Sequence, residues 1–474
     1  MGADTGLKAG VWGARFGRGC KPFAKTCLTD RPEGLSLISC FGEPFMTHHV
    51  ILGAGPAGVI AAETIRKHAP LDAITLVGDE AEPPYSRMAI PYLLMGNIDE
   101  RGTYLRKGAT HFADMKINQV TARASRVDAA AKTVMLDNGE TLVFDKLLIA
   151  TGSLPARPPI PGMDAAGVHA CWTLEDARKI MALARPGARV LQMGAGFIGC
   201  IIMEALKQRG VQLSVVEMGD RMVPRMMGAM AGGMIKDWCE AQGVQVFTGT
   251  RVEAIEPGIP LKVRLSDGQT ALADLVISAT GVKPNIGFLE GSGITCLQGV
   301  LTDERLQTSV PGIYAAGDCA QAFDKVSGKT IVSAIQPNAA EQARVAAFNM
   351  VGQRADLKGV TQINVLDTLG LISTSFGNWE GVPGGEQVEL TDRQASGGKG
   401  RHLSLQFKGD VLVGCNSVGW TDHVGVMRGL VEGAVHLGPW KDILKHDPTK
   451  LMEAYLASAQ AQSQWSGAAD ERRR

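Results

Sequence analysis

Apolar residues run along this chain in short dense blocks that stop at glycines, and two long stretches repeat one order of blocks. Val50-Ile51-Leu52 ends at Gly53 and is followed by helical spacing from Val59 to His68. Val190-Leu191 leads in the same way to Gly194 and a helical pattern from Cys200 to Arg209. Brief apolar runs bounded by turn residues read as buried strands, and the longer periodic segments as helices. A second strand follows each helix, ending at an acid: Ile74 to Gly78 before Asp79, and Leu213 to Val216 before Glu217. Alternating strands near Thr133 to Leu136 and Thr141 to Val143 flank Asp137-Asn138-Gly139, a hairpin signal that recurs as Ser266-Asp267-Gly268.

The two stretches also close alike, with Lys146-Leu147-Leu148-Ile149-Ala150-Thr151-Gly152 and Leu275-Val276-Ile277-Ser278-Ala279-Thr280-Gly281. Prolines 155, 158, 159 and 161 mark a crossing between them, and Pro284 marks the return. Gly312 to Asp318 then reads as a strand running into a glycine and an acid, followed by a helix from Pro337 to Met350, with proline tolerated in its first turn. From Gly359 the texture changes to strands (363–366, 402–407, 411–415) and then helices, as in an α+β domain.

The glycine joints carry the chemistry. Gly53-Ala54-Gly55-Pro56-Ala57-Gly58 and Gly194-Ala195-Gly196-Phe197-Ile198-Gly199 both have the G-x-G-x-x-G spacing between strand and helix. The first glycine makes the turn, the second lets backbone approach a diphosphate, and the third lets helix pack on strand, with the helix N-terminus facing the phosphates. The acids Asp79 and Glu217 stand where a carboxylate accepts hydrogen bonds from a ribose. Two dinucleotides on one polypeptide are the expectation. The fold class that follows is α/β, with two Rossmann-like dinucleotide-binding domains of three-layer ββα type, one inserted in the other, and a C-terminal α+β domain.

Composition narrows the function. Lys plus Arg equals Asp plus Glu at 48 each, so no global field favours nucleic acid. No apolar run reaches the length of a membrane span. The nine cysteines are scattered, without C-x-x-C or zinc spacing, which argues against a metal site and for a reducing compartment; a soluble cytoplasmic protein is expected. Cys200 and Cys319 inside the glycine motifs read as small buried thiols. Residues 1–45 hold six Lys or Arg against four acids with little periodicity. They read as a disordered extension, with translation starting at Met46, and residues 461–474 as a frayed tail.

Both fingerprints, both Ala-Thr-Gly phrases and Ala316-Gly317-Asp318 together resemble the pyridine nucleotide-disulfide oxidoreductase superfamily. Pro84-Tyr85-Ser86-Arg87 and Val365-Leu366-Asp367-Thr368-Leu369-Gly370-Leu371-Ile372-Ser373 are similar to NADH:rubredoxin reductases and the flavin portion of NADH-dependent nitrite reductases. The resemblance implies an FAD domain from 46–157 and 284–355, an NAD(P)H domain from 158–283 and the third domain from 359–460. It implies FAD at Gly53, Gly55, Pro56, Ala57 and Gly58. Asp79 or Glu80 would take the ribose, Arg87 would lie along the flavin, Thr151, Gly152 and Gly317 would line the site, and Asp318 would bond the ribityl chain. The helix begun by Pro337 would point its N-terminus at the pyrimidine edge. It implies NADH, in preference to NADPH, at Gly194, Gly196, Phe197, Ile198, Gly199, Glu217, Thr280 and Gly281, because a carboxylate at Glu217 repels a 2′-phosphate. Arg221 and Arg225 are close enough in sequence to blunt that preference.

Departures from the family pattern matter as much. Neither Val59 to His68 nor Asp79 to Gly96 contains a cysteine, so no redox cysteine is expected and no catalytic residue is assigned. The family's paired lysine and glutamate align here with Tyr92 and Ile201. The resemblance therefore implies an oxidoreductase that passes hydride from NADH to FAD and electrons to a separate acceptor: rubredoxin, ferredoxin or a nitrite reductase-type partner subunit. A homodimer would be compatible. An NADH oxidase or quinone-type reductase is the enzymatic alternative, and an NADH-responsive flavoprotein without significant turnover is the other.

Overall fold

The computed structural model describes residues 46–360, 362–394 and 399–458. The extension and tail read from the sequence lie outside these residues. The described chain is α/β and contains two five-stranded parallel sheets. In the first sheet the spatial order is Ile313–Ala315, Lys146–Ile149, His48–Leu52, Ala73–Gly78, Ile117–Thr121. In the second it is Val168–Ala170, Leu275–Ser278, Arg189–Met193, Gln212–Val216, Gln245–Phe247. The plan is the same, with the fingerprint strand central; only the outer strand differs in origin, arriving after the other four in the first sheet and before them in the second.

Each sheet is covered alike. Helices Pro56–His68 and Gln336–Met350 bury Ala57, Ala61, Ile65, Ala343 and Ala347 against one face of the first. The small residues let the two helices lie close. On the other face an antiparallel sheet of Ala124–Asp128, Thr133–Leu136 and Thr141–Val143 shares a core with Val50, Leu52 and Leu147. The second sheet carries its own antiparallel sheet of Val252–Glu256, Leu261–Leu265 and Thr270–Ala273 on one side. Helices Leu174–Leu183, Phe197–Gln208 and Ala229–Ala241 cover the other. Both hairpin signals sit at the turns they mark, with Gly139 and Gly268 at φ 87° and 84°. Ser153–Pro155 and Val282–Pro284 pair antiparallel and join the two units.

A third sheet, antiparallel, has the order Ile363–Thr368, Leu371–Gly377, Val411–Val418, Arg401–Lys408, Glu386–Asp392. One face packs Phe376, Leu403, Leu405 and Phe407 under helices Val424–Glu432 and Trp440–His446. The opposite face is polar yet buried, with Ser373, Ser375, His402, Ser404 and Asn416 all under 5% exposed. It meets the second unit, where Asn416 Oδ1 accepts from Gly228 N at 2.9 Å, and at the adjoining turn Trp238 Nε1 donates to the Leu369 carbonyl at 3.1 Å.

Candidate functional site

The glycines of each fingerprint divide into two kinds. A Cβ on Gly53 would stand 2.1 Å from the Ala150 carbonyl oxygen, and one on Gly58 1.8 Å from that of Gly53. These glycines exist for packing. A Cβ on Gly55 meets nothing within 4 Å, so that position faces open space. The second fingerprint repeats the division: Gly194 and Gly199 would collide at 2.4 and 2.5 Å, and Gly196 is open. Gly55 and Gly196 are the N-caps of their helices, with no side-chain cap and no acid in the first turn. Both helix ends present unpartnered N–H groups and the positive pole of the dipole to that space.

A cavity of about 250 Å³ runs over the C-terminal edge of the first sheet. Gly53, Gly55, Pro56, Ala57, Asp79, Glu80, Arg87, Thr151, Gly152, Gly317 and Asp318 line it. A second cavity of about 200 Å³ shares Gly53, Asp79 and Thr151 with it and extends towards Arg123 and Phe288. Together they form an elongated trough where the strand order reverses, the place where open α/β sheets hold ligands. Phe197, Ile198, Ile201, Ile202 and Val282 of the second unit form part of the larger cavity's wall. Gly194, Gly196, Gly199, Glu217, Thr280 and Gly281 lie outside it, around the second fingerprint.

Individual side chains are held as follows. Asp79 pairs with Arg123 at 2.9 Å. Glu80 is engaged elsewhere, accepting from Tyr85 Oη at 2.5 Å and Arg87 Nη2 at 2.7 Å. Arg87 also donates to the Trp172 carbonyl at 2.7 Å and lies over the rings of Tyr85 and Trp172. Burial pushes the Tyr85 hydroxyl well above the ordinary phenol range. Asp318 accepts from Ser153 Oγ at 3.0 Å; burial raises its carboxyl, opposed by that hydrogen bond and by Arg87. Gly317, at φ 82°, is fixed by its N–H donating to Gln342 Oε1 at 2.7 Å. The helix after it starts at Gln336, one residue before Pro337; Gln336 and Ala339 reach the cavity, and its N-terminus has no side-chain cap.

In the second unit Glu217 turns its carboxylate onto the fingerprint, accepting from Ala195 N and Gly219 N, each at 2.7 Å. Thr280 Oγ1 donates to the Ala156 carbonyl at 3.0 Å. Arg221 is occupied, donating to the Met227 carbonyl and to Asp220, both at 2.8 Å. The Arg225 guanidinium lies beside Gly281, 3.9 Å from where a Cβ would be. Ile201 faces the cavity, whereas Tyr92 is 54% exposed and outside its lining. Of the two positions aligned with the family's charged pair, only Ile201 is part of this cavity's wall.

Sequence reasoning missed Cys171, Trp172, Ser153 and Tyr85 as cavity residues. The Tyr85 phrase was visible; nothing local marked the others, which arrive from the joints between units. Cys200 and Cys319 are fully buried, with Cys319 Sγ 3.3 Å from the Ile149 carbonyl oxygen. Among the described residues no cluster of three or more His, Cys, Asp or Glu is arranged to hold a metal ion, and no helix is long and apolar enough to cross a membrane.

A family model described as pyridine nucleotide-disulphide oxidoreductase matches residues 47–346. The chain belongs to this family. As a member of the pyridine nucleotide-disulphide oxidoreductases it is an NAD(P)H-dependent oxidoreductase, and the third sheet lies beyond the matched segment. It is 32% identical to the epsilon subunit of NADH-dependent phenylglyoxylate dehydrogenase from Aromatoleum evansii, over 85% of this chain and 95% of that one. It is 31% identical to an NADH oxidase from Methanocaldococcus jannaschii, over 78% and 87%. A solved NAD-dependent persulfide reductase from A. fulgidus superposes with a TM-score of 0.77 at 28% identity, covering 83% of this chain and 78% of the other.

Proposed function

We propose that this family member binds FAD across the first sheet and NADH on the second, passes hydride from NADH to FAD, and delivers the electrons to a separate protein acceptor. The observation that carries the reading is the pair of open central glycines, each at an uncapped helix N-terminus, with one cavity walled by both units. The residues fit the cofactor, because Gly55 leaves backbone N–H groups free for a diphosphate where any side chain would intrude.

When bound, FAD supplies a ring that takes two electrons as hydride from reduced nicotinamide and releases them to the acceptor. The chain's own residues do the rest. Gly53 to Ala57 and the helix behind them hold the diphosphate. Asp79, paired with Arg123, accepts from the ribose hydroxyls, and Asp318 from the ribityl hydroxyls. The N-terminus of Gln336–Met350 favours negative charge at its end of the cavity. Arg87, braced by Glu80 and Trp172, would lie along the ring. Phe197, Ile198, Ile201 and Ile202 give the nicotinamide side an apolar wall that excludes water, so transfer relies on proximity rather than a charged pair.

On the second unit Gly194, Gly196 and Gly199 shape the NADH site. Glu217, pinned by Ala195 and Gly219, places a carboxylate where a 2′-phosphate would fall, and Arg221 is too occupied to offset it. The preference is for NADH. A protein acceptor is favoured because the Aromatoleum relative is itself one subunit of a larger dehydrogenase. The M. jannaschii relative keeps direct transfer to oxygen as the second reading.

The test is anaerobic reduction of the purified, FAD-loaded protein with NADH, followed by addition of oxidised rubredoxin, ferredoxin or air. Fast bleaching and fast reoxidation by a protein carrier support the proposal; reoxidation by air alone supports the oxidase. A protein that retains no FAD refutes both.

A further inference from the structure

The third sheet, outside the matched family segment, reaches the second fingerprint by a continuous path. Ala195, the residue between its first two glycines, is gripped on both backbone groups. Its N–H donates to Glu217 Oε2 at 2.7 Å, and its carbonyl accepts from Val223 N at 2.9 Å. Val223 is 1% exposed and has φ 49°. A β-branched residue there is a true outlier, and such a conformation persists only where the surroundings over-determine it.

Those surroundings are on both sides of the next turn. Met226 N and Met227 N each donate to the Val223 carbonyl at 3.0 Å. From the third sheet, Asn416 accepts from Gly228 N at 2.9 Å through Oδ1 and donates to the Met226 carbonyl at 3.0 Å through Nδ2. Its amide orientation is dictated by these partners, one a donor and one an acceptor. Asn416 is 2% exposed on strand Val411–Val418, so its two bonds face little competition from water.

We infer that Asn416 is a positioning residue for NADH. By holding Met226–Gly228 it keeps Val223 in its left-handed conformation, and Val223 in turn keeps the Ala195 loop shaped for the dinucleotide. The inference rests on the reading of the second fingerprint as the NADH site.

The experiment compares FAD-loaded wild type with Asn416→Ala, measuring the NAD⁺ dissociation constant by calorimetry, KM and kcat with NADH, and FAD content. KM and the dissociation constant should rise about tenfold, the scale of one or two lost buried hydrogen bonds. FAD content should hold, and kcat should stay within about twofold, since hydrogen bonds used only to preorganise binding affect it little. Adding Val223→Gly should recover most of the KM loss, because glycine keeps a positive φ without support. If Asn416→Ala does not accumulate, Asn416→Ser carries the same expectation, its hydroxyl being too short to bridge both partners. Unchanged KM, or a parallel fall in FAD content, kcat and melting temperature at constant KM, overturns the inference. Wild type that binds no NAD⁺ refutes the nucleotide assignment instead.

Discussion

Replacing Gly196 with alanine separates binding from folding. Gly196 has φ −76° and ψ −171°, an extended conformation open to any residue, and an added methyl meets nothing within 4 Å. Alanine is a poorer N-cap than glycine by about 0.5–1 kcal/mol. It also restricts the unfolded chain, a gain of about 0.4–1 kcal/mol. The two terms nearly cancel, so the melting temperature should barely move. The methyl nevertheless occupies the approach to the helix N-terminus. A hydrogen bond from backbone N–H to a charged oxygen contributes about 1.5–3 kcal/mol. Losing one or its equivalent should weaken NAD⁺ roughly tenfold to a hundredfold. Gly199→Ala is the contrast, because its methyl would lie 2.5 Å from the Gly194 carbonyl oxygen and 2.8 Å from Gln192 Nε2. That overpacking should cost about 1–3 kcal/mol of stability. Calorimetry with NAD⁺, thermal melting and FAD stoichiometry read all three quantities. Gly196→Ala that binds NAD⁺ as tightly as wild type, at unchanged stability, would refute the placement of the diphosphate on this helix.

Three further outcomes are expected. Ile201→Glu should slow reduction by NADH in stopped-flow, and adding Tyr92→Lys should not restore it, since Tyr92 lies outside the cavity lining; full rescue would show that the two positions meet. Asp318→Asn should raise the melting temperature of the apoprotein near neutral pH while lowering FAD affinity. Burial raises the Asp318 carboxyl above its unfolded value, so ionising it costs stability as pH rises through the folded pKa; the advantage of the Asn variant should vanish in acid, where both side chains are neutral, and an advantage that grows in acid contradicts this. Glu217→Ala should weaken NADH without giving useful NADPH turnover, because Arg221 stays bound to Asp220 and Met227; a clean switch to NADPH in steady-state assays would contradict that.

The sequence was most legible where a residue's role is local. The fingerprint glycines, the terminal acids of the second strands and the Asn-Gly and Asp-Gly hairpins each state their geometry within a few positions. It was less legible where polarity and burial disagree. Leu371–Gly377 contains Ser373, Thr374 and Ser375, almost fully buried, and is an interior strand that was not among those expected from the sequence. Glu386–Asp392 hides for a different reason: it is a mostly exposed, charged edge strand in which only Val388 and Leu390 are half-buried. Contacts between distant segments left no signal: Arg87 meets Trp172, and Asn416 meets Met226, only because the units pack together. Glu80 shows the limit of a local argument, since its position after Asp79 fits a ribose acceptor while its carboxylate is taken by Tyr85 and Arg87.

Cys171 gives the sharpest test of electron flow without sulfur. It lines the cavity beside Trp172, so its position alone would allow a role in relay chemistry. Relay requires the thiolate, and thiolates form where cations or helix N-termini lower the pKa. At Cys171 burial pushes the thiol up, and the charge of Asp176 adds to it, to about 12. The fully buried Cys319 and Cys239 are likewise raised by burial, to about 11 and about 12. At Cys171 both effects disfavour the thiolate that relay would need at this place beside the proposed flavin site. Cys171→Ser should keep NADH-driven reduction within about twofold, the scale left when no reacting group is removed, and iodoacetamide should modify the wild-type residue slowly near neutral pH. Rapid alkylation that abolishes turnover would mean that a bound cofactor or an opened cavity supplies the missing positive field, and the direct route from ring to acceptor would have to be abandoned.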